Sequence, residues 1–217
     1  MPAAPSQFSE SHFPSLRALL ERHVAARDIA GAIVGIAVGD EEPCFVAVGE
    51  TGFDTGRPIA ADSIHRIYSQ TKPITGISTM MLIEEGRIAL DQPIGELLPE
   101  LADLPVLVTA DSEAVRPAKR QPTVRDLLTH TAGFSYGLQI SPLAARYRQA
   151  GLQPGVRIAA HLASGDQPHD LADFVARLGK LPLARDPGEM FEYSLSIDIL
   201  GAMIERVSGE TLDAFFQ

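Results

Sequence analysis

The sequence predicts an α+β fold, a short antiparallel hairpin at the front followed by a long, mainly helical region. Two observations carry this. Residues 31–39 and 44–49 are runs of small and β-branched side chains, joined by the turn-forming Asp40-Glu41-Glu42-Pro43. Beyond residue 60, apolar residues recur at helical spacing between helix start and stop signals, without the strand–helix–strand alternation that builds a parallel sheet. On this basis residues 1–60 hold an N-terminal helix and the first strands of a sheet region, and residues 61–217 are mainly helical.

Taken in order, Leu16, Leu19, Leu20 and Val24 share one face, so residues 11–27 are expected as an amphipathic helix. The run 31–39 is apolar enough to be covered on both faces, which demands strand neighbours. Ile74, Ile77 and Met81 align on a helix over 69–85 that Gly86 stops. Thr123-Val124-Arg125-Asp126 starts a short helix ending near His130, because the hydroxyl and the carboxylate three residues apart satisfy each other's backbone N–H groups. Residues 135–170, rich in Gly, Pro and polar side chains, read as loop around a short helix at 142–150. Helices follow at 170–179 and 194–208, the second striped by Leu195, Ile199, Met203 and Val207. Residues 211–217 read as an unfinished helix whose Phe215 and Phe216 have nothing to pack against.

Composition removes several function classes. With 45% hydrophobic and 21% charged residues, 217 residues suffice for a buried core, and the chain is neither disordered nor collagen-like. Lys and Arg number 18 against 28 Asp and Glu, a formal charge of -10 that lacks the basic footprint needed for nucleic acid or an anionic membrane. The single Cys44 excludes an intrachain disulfide framework and a multi-cysteine metal site. None of the six histidines forms an i,i+4 pair, and no phosphate-binding glycine loop is present, so no metal or cofactor is expected. The longest apolar run, residues 29–39, is far short of the roughly 20 residues that span a bilayer. No secretory signal is visible at the N-terminus, and a cytoplasmic location is the expectation.

Chemistry concentrates at Ser69-Gln70-Thr71-Lys72. Residues three apart share a helix face, so the lysine amine lies beside the serine hydroxyl, and the helix N-terminus adds partial positive charge. A serine hydroxyl attacks only when a base takes its proton, and a desolvated lysine of lowered pKa is one such base. Gly133-Phe134-Ser135-Tyr136-Gly137 also has the Gly-x-Ser-x-Gly form, but that elbow must follow a strand and open a helix. Ser135 instead follows a capped helix and enters a loop, so Ser69 is the better nucleophile.

Three landmarks carry a family resemblance. Residues 67–75, Ile-Tyr-Ser-Gln-Thr-Lys-Pro-Ile-Thr, are followed by Glu84-Glu85-Gly86-Arg87 and Leu90-Asp91; then come Leu127-Leu128-Thr129-His130-Thr131-Ala132-Gly133 and Pro187-Gly188-Glu189 with Tyr193-Ser194. Their order resembles the serine β-lactamase-like superfamily, nearest to the family VIII carboxylesterases, which are relatives of class C β-lactamases and penicillin-binding DD-peptidases. The resemblance implies a β-lactamase/transpeptidase-like fold, with an antiparallel sheet flanked by helices. It implies Ser69 as acylated nucleophile, Lys72 as its proton partner and Tyr193 as phenolic acid/base, and a small ester as substrate. His130 then orients a turn rather than carrying protons. The oxyanion hole would combine the Ser69 N–H with an N–H on the sheet edge.

Two departures from the family pattern are informative. The β-lactamase and peptidase branches place an amide-reading asparagine two residues after the tyrosine; here Leu195 stands there, which favours esters over β-lactams and peptides. A third motif of the Lys-Thr-Gly type, on a late strand, has no counterpart after Tyr193. The sheet is therefore expected to be incomplete, with a C-terminal remainder supplied separately or through oligomerisation. The alternatives are an acyltransferase, a β-lactamase or DD-peptidase using the same site, and a non-catalytic binding relative.

Overall fold

The computed structural model describes residues 3–137, 141–152 and 167–217. The chain forms two compact units, Met1–Ile67 and Tyr68–Gln217.

In the first unit, helix α1 (Pro14–Ala25) begins with proline at its first position, where a missing N–H breaks no intrahelical bond. Strands β1 (Gly31–Ile36) and β2 (Cys44–Gly49) pair antiparallel, with Gly31 opposite Gly49 and Ile36 opposite Cys44. Helix α1 packs on β2, burying Leu20 and Val46. Glycine is required at 31, because a Cβ there would lie 2.3 Å from the Glu50 carbonyl oxygen. Among the described residues β1 does not have the further covering neighbours that its apolar run calls for, consistent with an incomplete sheet. β1 ends at Ile36, most of its residues are half-buried and Val38 is exposed. Its only ladder partner among the described residues is β2.

The second unit is helical around one core. Its elements are α2 (Thr71–Glu84), β3 (Pro105–Leu107), β4 (Val115–Pro117), α3 (Val124–Leu128), α4 (Pro142–Gln149), α5 (Leu171–Leu178), α6 (Ser196–Ser208) and α7 (Leu212–Phe215). Leu82, Ile94, Leu98, Leu127, Leu178, Ile199 and Met203 are fully or almost fully buried between them. The Thr123 hydroxyl and the Asp126 carboxylate cap α3 reciprocally, as the spacing predicted, and Gly209 at φ +80° ends α6.

Two features depart from the sequence reading. The β3–β4 hairpin was not expected, since its strands are three residues long and carry prolines; it persists because Leu183 bridges onto Val106. Leu212 and Phe215 pack against the core, so the final helix does find a surface. The loop expected over 135–170 falls partly on 138–140 and 153–166, outside the described residues. Among the described residues, no helix is long and apolar enough to cross a membrane.

Candidate active site

Ser69 sits on a 3-10 turn, Tyr68–Gln70, that runs directly into α2, and Lys72 occupies the first turn of that helix. Tyr68 adopts φ +47°, a left-handed conformation that a bulky residue rarely holds, and this sharp bend presents the following Ser69 at the surface. Pro73 falls in the first turn, where its missing N–H costs nothing. The opposite face of α2 buries Thr75, Ser78, Thr79 and Leu82, and it packs on α6. Hydroxyls are tolerated there because Thr75 donates to the Thr71 carbonyl and Thr79 to the Thr75 carbonyl.

Tyr193 lies just before α6 and reaches Ser69 from far along the chain. The segment that carries it is tied to residues 130–133 by three backbone bonds. Ala184 N–H donates to the Gly133 carbonyl, Gly188 N–H to that of Thr131 and Glu192 N–H to that of His130, each at 2.8 Å. Gly133, at φ +84°, leaves no room for a Cβ, which would meet the Arg185 carbonyl oxygen at 2.2 Å. Below the turn, the Asp186 carboxylate accepts from both Arg116 guanidinium nitrogens, at 3.0 and 2.7 Å, and from the Lys119 N–H. Asp126 likewise holds Arg120, Thr123 and Thr131.

These two supports bring the three expected residues together. The Ser69 Oγ lies 3.3 Å from the Tyr193 phenol oxygen, and the Lys72 Nζ donates to it at 3.3 Å. The ammonium also stands 5.0 Å from the Tyr193 ring centroid. Contact with Lys72 first, and with Ser69 second, holds the Tyr193 phenol below its ordinary value. Lys72 runs opposite to the sequence expectation. Burial alone would lower it, but its contact with Tyr193 and the charges of Tyr136, Tyr193 and Asp198 outweigh burial, so its amine stays protonated more firmly than usual. The lysine is the resident cation, and the group whose proton affinity is tuned toward neutrality is the tyrosine.

Sequence reasoning passed over Tyr136 as a site residue and weighed, then set aside, only the serine beside it. The Tyr136 ring stacks on Tyr193 at 5.3 Å and 21°. Ser135 is half-buried; its N–H donates to the buried Tyr147 hydroxyl and its Oγ accepts from Gly137 N–H, so no elbow forms. Leu195 is 3% exposed and belongs to the core, so its side chain is not available to read a substrate. A cavity of about 520 Å³ bordered by Leu104, Pro105, Val115 and Arg120 includes none of the three residues, and both of its arginines are spent on Asp186 and Asp126.

The family model for Beta-lactamase matches residues 16–217. Esterase EstB of Burkholderia gladioli is 32% identical over 213 residues, covering 98% of this chain and 50% of that protein. Monacolin J acid methylbutanoyltransferase of Aspergillus terreus is 32% identical over 163 residues, 74% of this chain and 36% of its own. Among solved structures, EstCE1, described as a hydrolase with promiscuous acyltransferase activity, superposes with a TM-score of 0.72 at 26% identity, over 95% of this chain and 50% of that one. The chain spans half or less of the length of these relatives. With the family model matching nearly its whole length, the chain belongs to the Beta-lactamase family, and its fold is that of the β-lactamase/transpeptidase group with a short sheet.

Proposed function

We propose that this chain carries the reacting centre of a serine carboxylesterase that works through an acyl-enzyme on Ser69. The observation behind this reading is the shared position of the Lys72 amine and the Tyr193 phenol, each 3.3 Å from the Ser69 hydroxyl. Tyr193, as the phenolate that the Lys72 ammonium favours, takes the serine proton as Ser69 Oγ attacks the ester carbonyl. The tetrahedral intermediate expels the alcohol, which leaves with the proton held by Tyr193. Water then attacks the acyl-serine with Tyr193 again as base, releasing the acid and restoring Ser69. Short-chain esters are the substrates and the location is cytoplasmic. Leu195, buried where an amide-reading asparagine would stand, supports esters over β-lactams and peptides.

A second reading, acyl transfer to an alcohol at the same site, is favoured by the resemblance to a methylbutanoyltransferase and to a hydrolase with acyltransferase side activity. The proposal extends to a partner segment corresponding to the half of the relatives that this chain does not match. It would supply the second oxyanion N–H and cover the exposed Ile74, Ile77 and Met81 on α2.

Intact-mass spectrometry with a fluorophosphonate and a panel of short p-nitrophenyl esters tests the reading. One covalent adduct is expected, lost in Ser69→Ala and kept in Ser135→Ala; the reverse pattern overturns it. Added alcohol diverts the acyl group if transfer dominates. A penicillin or cephalosporin turned over as fast as the best ester would refute the ester preference. Full turnover by the monomeric 217-residue chain would refute the partner segment.

A further inference from the structure

His130 is tied to Tyr193 more closely than a turn residue requires. Its carbonyl accepts the Glu192 N–H at 2.8 Å, and its Nδ1 accepts the Ser194 N–H at 3.2 Å. One side chain and its own carbonyl thus hold the backbone on both sides of the tyrosine. Its ring lies 4.8 Å from the Tyr193 ring and 5.9 Å, edge-on, from that of Phe191. The residue itself is buried and adopts φ +55°, a left-handed conformation whose cost is borne only where the surroundings impose it.

A backbone N–H can only donate, so the Nδ1 that accepts it carries no proton, and the neutral ring must bear its hydrogen on Nε2. A second proton would have to go on Nδ1, facing that same N–H. The bond to Ser194 would be lost, and a cation would be added beside Lys72. The groups around the ring give that cation no counter-ion. Lys72, from α2, is positive and disfavours it; from the tyrosine segment Phe191 and Tyr193 offer rings and Ser194 its hydroxyl at 3.4 Å, itself bonded to Ser196 on α6 at 2.8 Å. Of the carboxylates near the cluster, Asp198 of α6 acts on Lys72 and Tyr193 and is held by burial above its ordinary value, toward its neutral form, while Asp126 of α3 is engaged with Arg120 and Glu192 with Arg185.

We propose that His130 is the positioning residue for Tyr193, competent only as the neutral Nε2–H tautomer, and that its protonation displaces Tyr193 from Ser69 and switches the site off in acid. The inference rests on the reading of Tyr193 as the base. Burial first, and the charge of Lys72 second, hold the imidazole below its ordinary value, so the neutral form prevails near neutrality and the loss falls below the usual histidine range of about 6.5.

Two measurements on the full chain test it. Nitrogen-15 chemical shifts of the His130 ring should report a proton on Nε2 and none on Nδ1 at pH 7; a protonated Nδ1 overturns the proposal without reference to activity. The second is the rate of Ser69 labelling by a fluorophosphonate as a function of pH. His130→Asn keeps a tolerance for positive φ and an acceptor at the Nδ1 position but cannot take a proton. It should label within about tenfold of wild type near pH 8 and lose the additional, steeper fall below about pH 6.5, keeping only the fall that protonation of Tyr193 itself brings. His130→Phe keeps a ring but no acceptor, and should label about 100-fold more slowly, the scale of a small misplacement of a reacting group. A fall below about pH 6.5 as steep in His130→Asn as in wild type, or wild-type labelling in His130→Phe, overturns the proposal. Should His130→Phe not fold, the ring shifts and His130→Asn still decide. A wild-type protein unlabelled at every pH would sink the acyl-enzyme reading instead, and leave the tautomer assignment to stand or fall by the ring shifts.

Discussion

Ser69 and Lys72 come from the same helix start, three residues apart, whereas Tyr193 meets them from 124 residues further along the chain. The two sides of the cluster are held by different means. On the first side, a bent residue at Tyr68 and the turn into α2 suffice, so the geometry is local and robust. On the second, position depends on His130, on Gly133 and on two buried carboxylates that fasten the framework beneath. Changes near Ser69 should therefore remove chemistry while leaving the fold, and changes under Tyr193 should cost both.

The sharpest break in this comparison is across the cluster itself. Lys72→Ala and Tyr193→Phe should each slow fluorophosphonate labelling of Ser69 by about 10³-fold, within the range of general acid–base contributions. The double variant should be little worse than either, because a cation that tunes a base and the base it tunes act as one unit. Melting temperatures should stay near wild type, since Tyr193 is 43% exposed and Lys72 sits half-buried in the first turn of α2, bonded to Ser69. Fully additive losses would show that the two groups do not share one proton path.

What could be read in the sequence follows the same division. The Ser-x-x-Lys pair, the capping box at Thr123 and helices α2 to α6 rest on signals within a few residues of one another, and spacing alone exposes them. The direction of the Lys72 shift was not legible, because it depends on Tyr136, Tyr193 and Asp198 standing around the amine. The inward turn of Leu195, by contrast, follows from its place on the apolar stripe with Ile199 and Met203. The β3–β4 hairpin was hidden because its stability comes from Leu183, over 60 residues from either strand, and not from a run of strand-forming side chains.

A smaller effect, on the tertiary side, is expected from Gly133→Ala. The residue sits at φ +84° and its Cβ would strike a carbonyl oxygen of the chain it is bonded beside, so both backbone strain and a collision oppose the change. A cost of about 2 kcal/mol corresponds to a melting temperature lower by about 4–8 °C in a chain of this size. Because the Gly133 carbonyl also holds Ala184, the shift should reach Tyr193 and slow labelling by about tenfold while the Ser69–Lys72 pair stays in place. Unchanged melting together with unchanged labelling would show that this contact does not position the tyrosine segment.

The mildest probe is a charge change at the base of that segment, Asp186→Asn. The Asp186 side chain is 4% exposed; the Arg116 guanidinium first, then the Lys119 N–H, hold its carboxyl well below the usual carboxylate range. A carboxyl depressed in the folded state contributes stability that is fully present above its unfolded value of about 3.9 and is lost as pH falls through the folded value. Wild type should therefore melt a few degrees above Asp186→Asn from pH 7 down to about pH 5, and the gap should narrow below about pH 4. Labelling at pH 7 should change by no more than a few-fold, since Asp186 supports the turn at Pro187 and Gly188 and stands seven residues before the tyrosine. A gap that stays constant to pH 3 would mean that the charge of Asp186 contributes nothing and only its hydrogen bonds matter, since an asparagine at that place can still accept from the Lys119 N–H.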